Sequence, residues 1–105
     1  MIVGRVFVSE TGLIERFLVT GHADSKEYGR DIVCAAVSAL TINFVNSVEM
    51  LCRVTLQNEV TDGYYDVYVT DSHDIQLLAQ SMKVGMQGIA KEYGMFMEIK
   101  EIHTS

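Results

Sequence analysis

Apolar residues recur at two different spacings along this chain, and the order of those spacings limits the folds that it can adopt. Residues 2–8 and 13–20 are rich in Val, Ile, Leu and Phe and are separated by a Ser-Glu-Thr-Gly segment, which predicts a β-hairpin. Residues 31–50 instead carry apolar residues every three or four positions, which predicts a helix. The residues of this stripe are Val33, Val37, Leu40, Phe44 and Val48.

The second half of the chain repeats this arrangement. Residues 51–58 alternate like a half-buried strand, and Asp62-Gly63 is a turn signal that leads into a strand over 64–70. Ser72 can cap a helix that begins near His73 and stops at Gly94, and residues 95–102 form a last strand. We therefore predict one α+β domain over residues 1–105, with a mostly antiparallel sheet, two helices and the element order ββαββαβ.

The first hairpin is apolar on both of its faces. Val6 and Val8 point one way and Val3 and Phe7 the other. In the second strand, alternation places Ile14 and Leu18 on the face opposite Leu13, Phe17 and Val19. A sheet that is apolar on both faces needs cover on each. Two helices on one face and a second copy of the chain on the other would provide it, so we expect a homodimer.

Composition and charge exclude several classes of protein. The chain is 49% hydrophobic and 21% charged, with a net charge of −6, and its eight basic residues are scattered singly. Direct nucleic-acid binding is not expected, because it relies on clustered Lys and Arg. No secretion signal and no run of about 18 consecutive apolar residues is found. The two cysteines form no CxxC motif and no pair at metal-ligand spacing, so no metal is expected. Together these features predict a cytoplasmic protein with reduced thiols and no membrane contact, and we expect no cofactor.

Cys34 is the main candidate for a reactive residue. If Asp31 is the N-cap of the first helix, Cys34 lies in the first turn, where unpaired amides and the helix dipole favour a thiolate. It shares the more polar side of the helix with Ser38 and Thr41 instead of the apolar stripe. His22 follows the second strand, where it can approach the helix start. A Cys–His pair of this kind supports nucleophilic catalysis, although a buried free cysteine is the commoner case.

The residues around this pair have two interpretations each. Asp31 can orient His22 or simply cap the helix, and Ser38 can donate to the site or bond back to a helix carbonyl. Gly21, Ala23 and Gly29 are candidate site-lining residues. The segment 23–30 is either a flap over a cleft or an ordinary solvated loop.

Two segments together closely resemble a known family. Gly21-His22-Ala23, followed by Gly29 and by the run DIVCAAVS over 31–38, resembles the ribosomal-processing cysteine protease (Prp) family, and the likeness extends over the whole chain in length and element order. The resemblance implies a homodimeric protease with Cys34 as nucleophile and His22 as its partner. It also implies a basic ribosomal protein as substrate, the twenty-seventh of the large subunit, which loses a short N-terminal extension by cleavage after an aromatic residue. The alternative is a noncatalytic dimeric ribosome-assembly or protein-binding module on the same fold.

Overall fold

The predicted α+β architecture with the order ββαββαβ is confirmed by a computed structural model, which describes residues 1–21 and 30–104, with Arg30 described by its backbone alone. Within these residues, five strands form one sheet in the order β3-β4-β2-β1-β5, in which only the β1–β5 pair is parallel. The elements are β1 (Ile2–Val8), β2 (Ile14–Thr20), α1 (Arg30–Cys52), β3 (Asn58–Thr61), β4 (Tyr64–Tyr68), α2 (His73–Glu92) and β5 (Met97–His103).

Both helices pack against the same face of the sheet. The predicted α1 stripe is buried there, except for Leu40, which is half-buried, and the Phe44 ring meets Phe17 of β2 edge-on at 5.5 Å between centroids. The helices approach closely at Gly85, where a Cβ atom would lie 2.9 Å from a Leu40 methyl group. A side chain at position 85 would therefore require the Leu40 side chain to move.

The long helix α1 is apolar over most of its length. Its length and composition would allow it to cross a membrane, although the core helix of a soluble protein passes the same test, and 33% of its most apolar stretch is buried inside the structure. Its buried side lies on the sheet, as a core helix requires. Large apolar side chains such as Ile32, Ile42 and Met50 remain exposed on its other sides.

The strand predicted over residues 51–58 is wrong. The helix continues to Cys52, and Arg53 then takes a left-handed conformation with φ of 58°, which ends it. The short strand β3 begins only at Asn58. The two-residue turn at Asp62-Gly63 pairs Thr61 with Tyr64, and in this register Asn58 lies opposite Val67, next to the end of β4. Leu56 is buried as expected, but it lies in the connection that follows the helix.

An ion pair lies on the sheet face opposite the helices. The Arg16 Nε and Nη2 atoms donate to the two carboxylate oxygens of Asp66 at 2.7 and 2.8 Å. The guanidinium also lies about 5 Å from the ring centroids of both Phe7 and Tyr68. Asp66 is buried, and the hydrogen bonds from Arg16 hold the pKa of its carboxyl below the usual value.

The Asp66 carboxylate makes the stability of the fold depend on pH. A lowered pKa in the folded state means that its contribution is complete above the unfolded pKa of about 4 and is lost as the pH falls through the folded value. We expect Asp66→Asn to lower the free energy of unfolding by about 1–2 kcal/mol at pH 7 and by much less near pH 2. Urea titrations at both pH values measure this, with exposed Asp71→Asn as the control. An equal loss at both pH values would contradict the electrostatic explanation.

Candidate active site

Cys34 lies on the second turn of α1 and is half-buried against the core. Because the helix begins at Arg30, Cys34 is its fifth residue, so in a regular helix its amide pairs with the Arg30 carbonyl. Cys34 therefore lies about half a turn further into the helix than the first-turn position expected from the sequence. The sulfur still lies near the positive end of the helix dipole, but the unpaired amides belong to the residues before it.

Asp31 is exposed and belongs to the first turn of α1. It was expected at the N-cap, but it lies one residue inside a helix that begins at Arg30, so the capping position precedes it. A carboxylate at this point still interacts favourably with the helix dipole. Its other expected role, orienting His22, stays a prediction, because His22 lies outside the described residues. The candidate site-lining residues Ala23 and Gly29 also lie outside them.

Gly21 ends the second strand in a conformation that only glycine adopts easily. Its φ is 86°, and its amide donates to the carbonyl of Gly63 at 3.1 Å. A Cβ atom at this position would overlap the carbonyl oxygen of Met1. The chain therefore leaves β2 in a fixed direction immediately before His22. Gly63 is the residue that sequence reasoning missed here, since its turn signal indicated only a hairpin.

The side of α1 that carries Cys34 faces the strand β4. Further along this side, Thr41 is buried, and its carbonyl accepts a hydrogen bond from the Tyr65 hydroxyl at 2.9 Å. Ser38, between Cys34 and Thr41, is half-buried, and its carbonyl accepts the Thr41 hydroxyl at 3.2 Å. Both interpretations of the Ser38 hydroxyl stay predictions. Gly63, in the turn before β4, thus bonds to Gly21, and Tyr65 of β4 bonds to the helix that carries Cys34.

The remaining cysteine lies far from Cys34 along α1, and the remaining two histidines lie on the surface. Cys52 is the last residue of α1, eighteen positions and so about 27 Å along the helix from Cys34. His73 and His103 are exposed. Over residues 1–21 and 30–104, no three His, Cys, Asp or Glu side chains are grouped so that they could hold a metal ion.

Comparisons with known proteins agree on one family. The model of the family described as cysteine protease Prp matches residues 1–98. The ribosomal processing cysteine protease Prp of Staphylococcus aureus strain Mu50 is 34% identical over 97 residues, which cover 89% of this chain and 92% of that protein.

Solved structures also resemble this chain in fold and sequence. The structure of SMU.848 from Streptococcus mutans superposes with a TM-score of 0.87 at 36% identity, over 99% of this chain and 96% of the other. The S. aureus ribosomal processing protease Prp in complex with a substrate peptide superposes with a TM-score of 0.83 at 28% identity, over 96% and 99%. Both likenesses extend over nearly the whole chain.

Proposed function

Because the chain belongs to the Prp family of cysteine proteases, we propose that this cysteine peptidase removes a short N-terminal extension from a large-subunit ribosomal protein by cutting after an aromatic residue. The observation that carries the proposal is the match of the cysteine protease Prp family model to residues 1–98, which include Cys34 near the start of α1. The relative from S. aureus is named a ribosomal processing protease, and its structure holds a substrate peptide.

The proposed reaction uses two side chains and the backbone. His22 takes the proton of the Cys34 thiol, and the sulfur attacks the carbonyl carbon of the scissile bond. Amides that precede Cys34 at the start of α1 stabilise the developing oxyanion, because the Cys34 amide itself is paired within the helix. His22 then protonates the departing amine, and water hydrolyses the thioester to release the acid. No metal or cofactor is needed, since nucleophile and proton carrier are both side chains.

The substrate assay tests this reaction directly. The protein is incubated with a peptide that joins the extension to the first residues of the mature ribosomal protein, and the products are identified by mass spectrometry. We expect one cut, immediately after an aromatic residue, and a fall of at least about tenfold in kcat/KM when that residue is replaced by Ala. A peptide that binds but stays intact would contradict the proposal and leave the noncatalytic binding module.

We also propose that the chain forms a homodimer through the sheet face opposite the helices. Within the described part of the chain, no helix or strand lies over this face, although Val3, Phe7 and Leu18 are apolar and only half-buried. A second copy would cover them. Sedimentation velocity tests this: we expect Leu18→Glu to give single chains and Val84→Glu, on exposed α2 surface, to leave the dimer intact. The expected compartment is the cytoplasm, where ribosomal proteins are made.

A further inference from the structure

A second feature of α1 bears on which substrates the site accepts. A groove of about 210 Å³ lies between α1 and the strands β3 and β4, and its walls are mostly apolar. Its lining residues are Thr41, Ile42, Val45, Asn46, Asn58, Val60 and Tyr65. Tyr65 forms its floor, fully buried, and its hydroxyl is occupied by the Thr41 carbonyl. The groove therefore offers an apolar surface with shape but without a free hydroxyl at its base.

The groove lies on the same side of α1 as Cys34. Residues 34, 38, 41 and 45 follow one another at intervals of three and four positions, so they lie on one side of the helix. Thr41 and Val45, which line the groove, are about 10–16 Å from Cys34 along the helix axis. An extended peptide covers about 3.3 Å per residue, so this distance corresponds to about three to five residues from the reacting carbonyl.

The edge strand β3 offers a backbone for a peptide along the same path. It is the outermost strand of the sheet, and all four of its residues are exposed. Among the described residues, no strand pairs with its outer side, so this side presents amides and carbonyls to an extended chain. Val60 of β3 points into the groove, and it is three positions from Gly63, whose carbonyl binds Gly21. The strand thus leads from the groove to the candidate active site.

We infer that this groove is a specificity subsite, which takes an apolar side chain of the substrate peptide about three to five residues from the scissile bond. The inference rests on the proposed protease function, since a peptide must reach Cys34 for the distance to have meaning. The occupant is an extended segment along β3 with one side chain inserted beneath α1. Its side chain is apolar because Ile42, Val45 and Val60 form the walls.

The test combines changes in the groove with changes in the peptide. Val60→Phe fills the groove from an exposed strand position, and Ile42→Ala removes part of its wall at a residue that is 55% exposed, so neither change empties the core. Each protein is assayed against peptides with single alanine replacements at the third to fifth residues on either side of the scissile bond. The matched control is Val84→Ala, an apolar α2 residue that is 65% exposed.

We expect one peptide position to couple to the groove. With the unmodified protein, alanine at that position lowers kcat/KM by at least about tenfold, and with Val60→Phe the parent peptide loses a similar factor while the same alanine has little further effect. Ile42→Ala should weaken the preference, and Val84→Ala should leave it unchanged. If the protein cleaves the peptides but no position couples to Val60 or Ile42, the subsite inference is wrong and the protease function stands.

Binding to the Cys34→Ala protein separates the two proposals when cleavage itself fails. Fluorescence anisotropy of the labelled parent and alanine peptides measures Kd without any reaction. Coupling of Kd to Val60→Phe would support the groove as the binding site of a peptide side chain even if the protein cuts nothing, whereas its absence would overturn the subsite. A further outcome is that Ile42→Ala or Val60→Phe gives single chains in sedimentation without coupling to any peptide position. The groove would then belong to a contact between two copies of the chain, and the subsite inference would be wrong.

Discussion

Replacing Cys34 with alanine is expected to lower kcat/KM for the substrate peptide by at least about a thousandfold. The thiol is the proposed nucleophile, and no neighbouring group can take its place in forming a thioester, so the change removes an interaction that exists only along the reaction path. The fold should change little, because Cys34 is half-buried and loses a single sulfur atom. We expect the free energy of unfolding to fall by no more than about 1–2 kcal/mol. Steady-state kinetics and urea unfolding measure the two quantities.

Cys52 provides a control of the same chemistry. It lies on the same helix, is half-buried and packs against the same core, but at the opposite end of α1. Cys52→Ala should therefore keep full activity with a similar effect on stability. A peptide chloromethyl ketone should alkylate Cys34 and not Cys52, with loss of chloride, and mass spectrometry of tryptic fragments locates the stable thioether. Equal activity of the Cys34→Ala and unmodified proteins would remove Cys34 from the mechanism.

The fold was predictable where local pattern and tertiary packing agree. The α1 stripe and the turns at Gly12 and Gly63 follow from residue spacing, because burial of one helix face and tight hairpins each leave a local sequence signal. The segment after α1 misled the prediction. Its alternation of apolar and polar residues is the same whether the backbone pairs with a neighbour or only extends past the helix, and that choice depends on β4, which follows later in the chain.

Two further features depend on contacts that no local pattern encodes. Ile14 is buried on the same face as Phe17, because the pairing of β1 with β2 shifts by one residue between Phe7 and Val8. Buried Gln76 of α2 binds the amide and carbonyl of Ile14, 62 positions away in the chain. The spacing of Gly21, His22 and Cys34 identified the candidate site, but the hydrogen bond from Gly21 to Gly63 requires the assembled sheet.

Replacing Gly21 with alanine should lower both the stability of the fold and the activity, and by more than the strain of its positive φ alone explains. Gly12 has the same φ of 86°, but a Cβ atom there meets no atom within 4 Å, whereas at Gly21 it would overlap the Met1 carbonyl oxygen. Gly12→Ala should thus cost only the left-handed strain, about 1–2 kcal/mol. Gly21→Ala introduces the same strain. Its added Cβ atom must also move the end of β2 away from the start of β1 or force the backbone at residue 21 into another conformation.

The activity of the two variants distinguishes a positioning role of Gly21 from simple destabilisation. Under conditions where both proteins are folded, Gly12→Ala should keep its kcat/KM, because the turn between β1 and β2 lies at the end of the sheet away from Gly21. Gly21→Ala should lose at least about tenfold, since any backbone change there redirects the proposed base, His22, which must stay within hydrogen-bond reach of the Cys34 sulfur. Urea unfolding gives the folded fraction, and kinetics on that fraction give the effect. Equal activity of the two variants would mean that the geometry at Gly21 serves the sheet and not the catalytic pair.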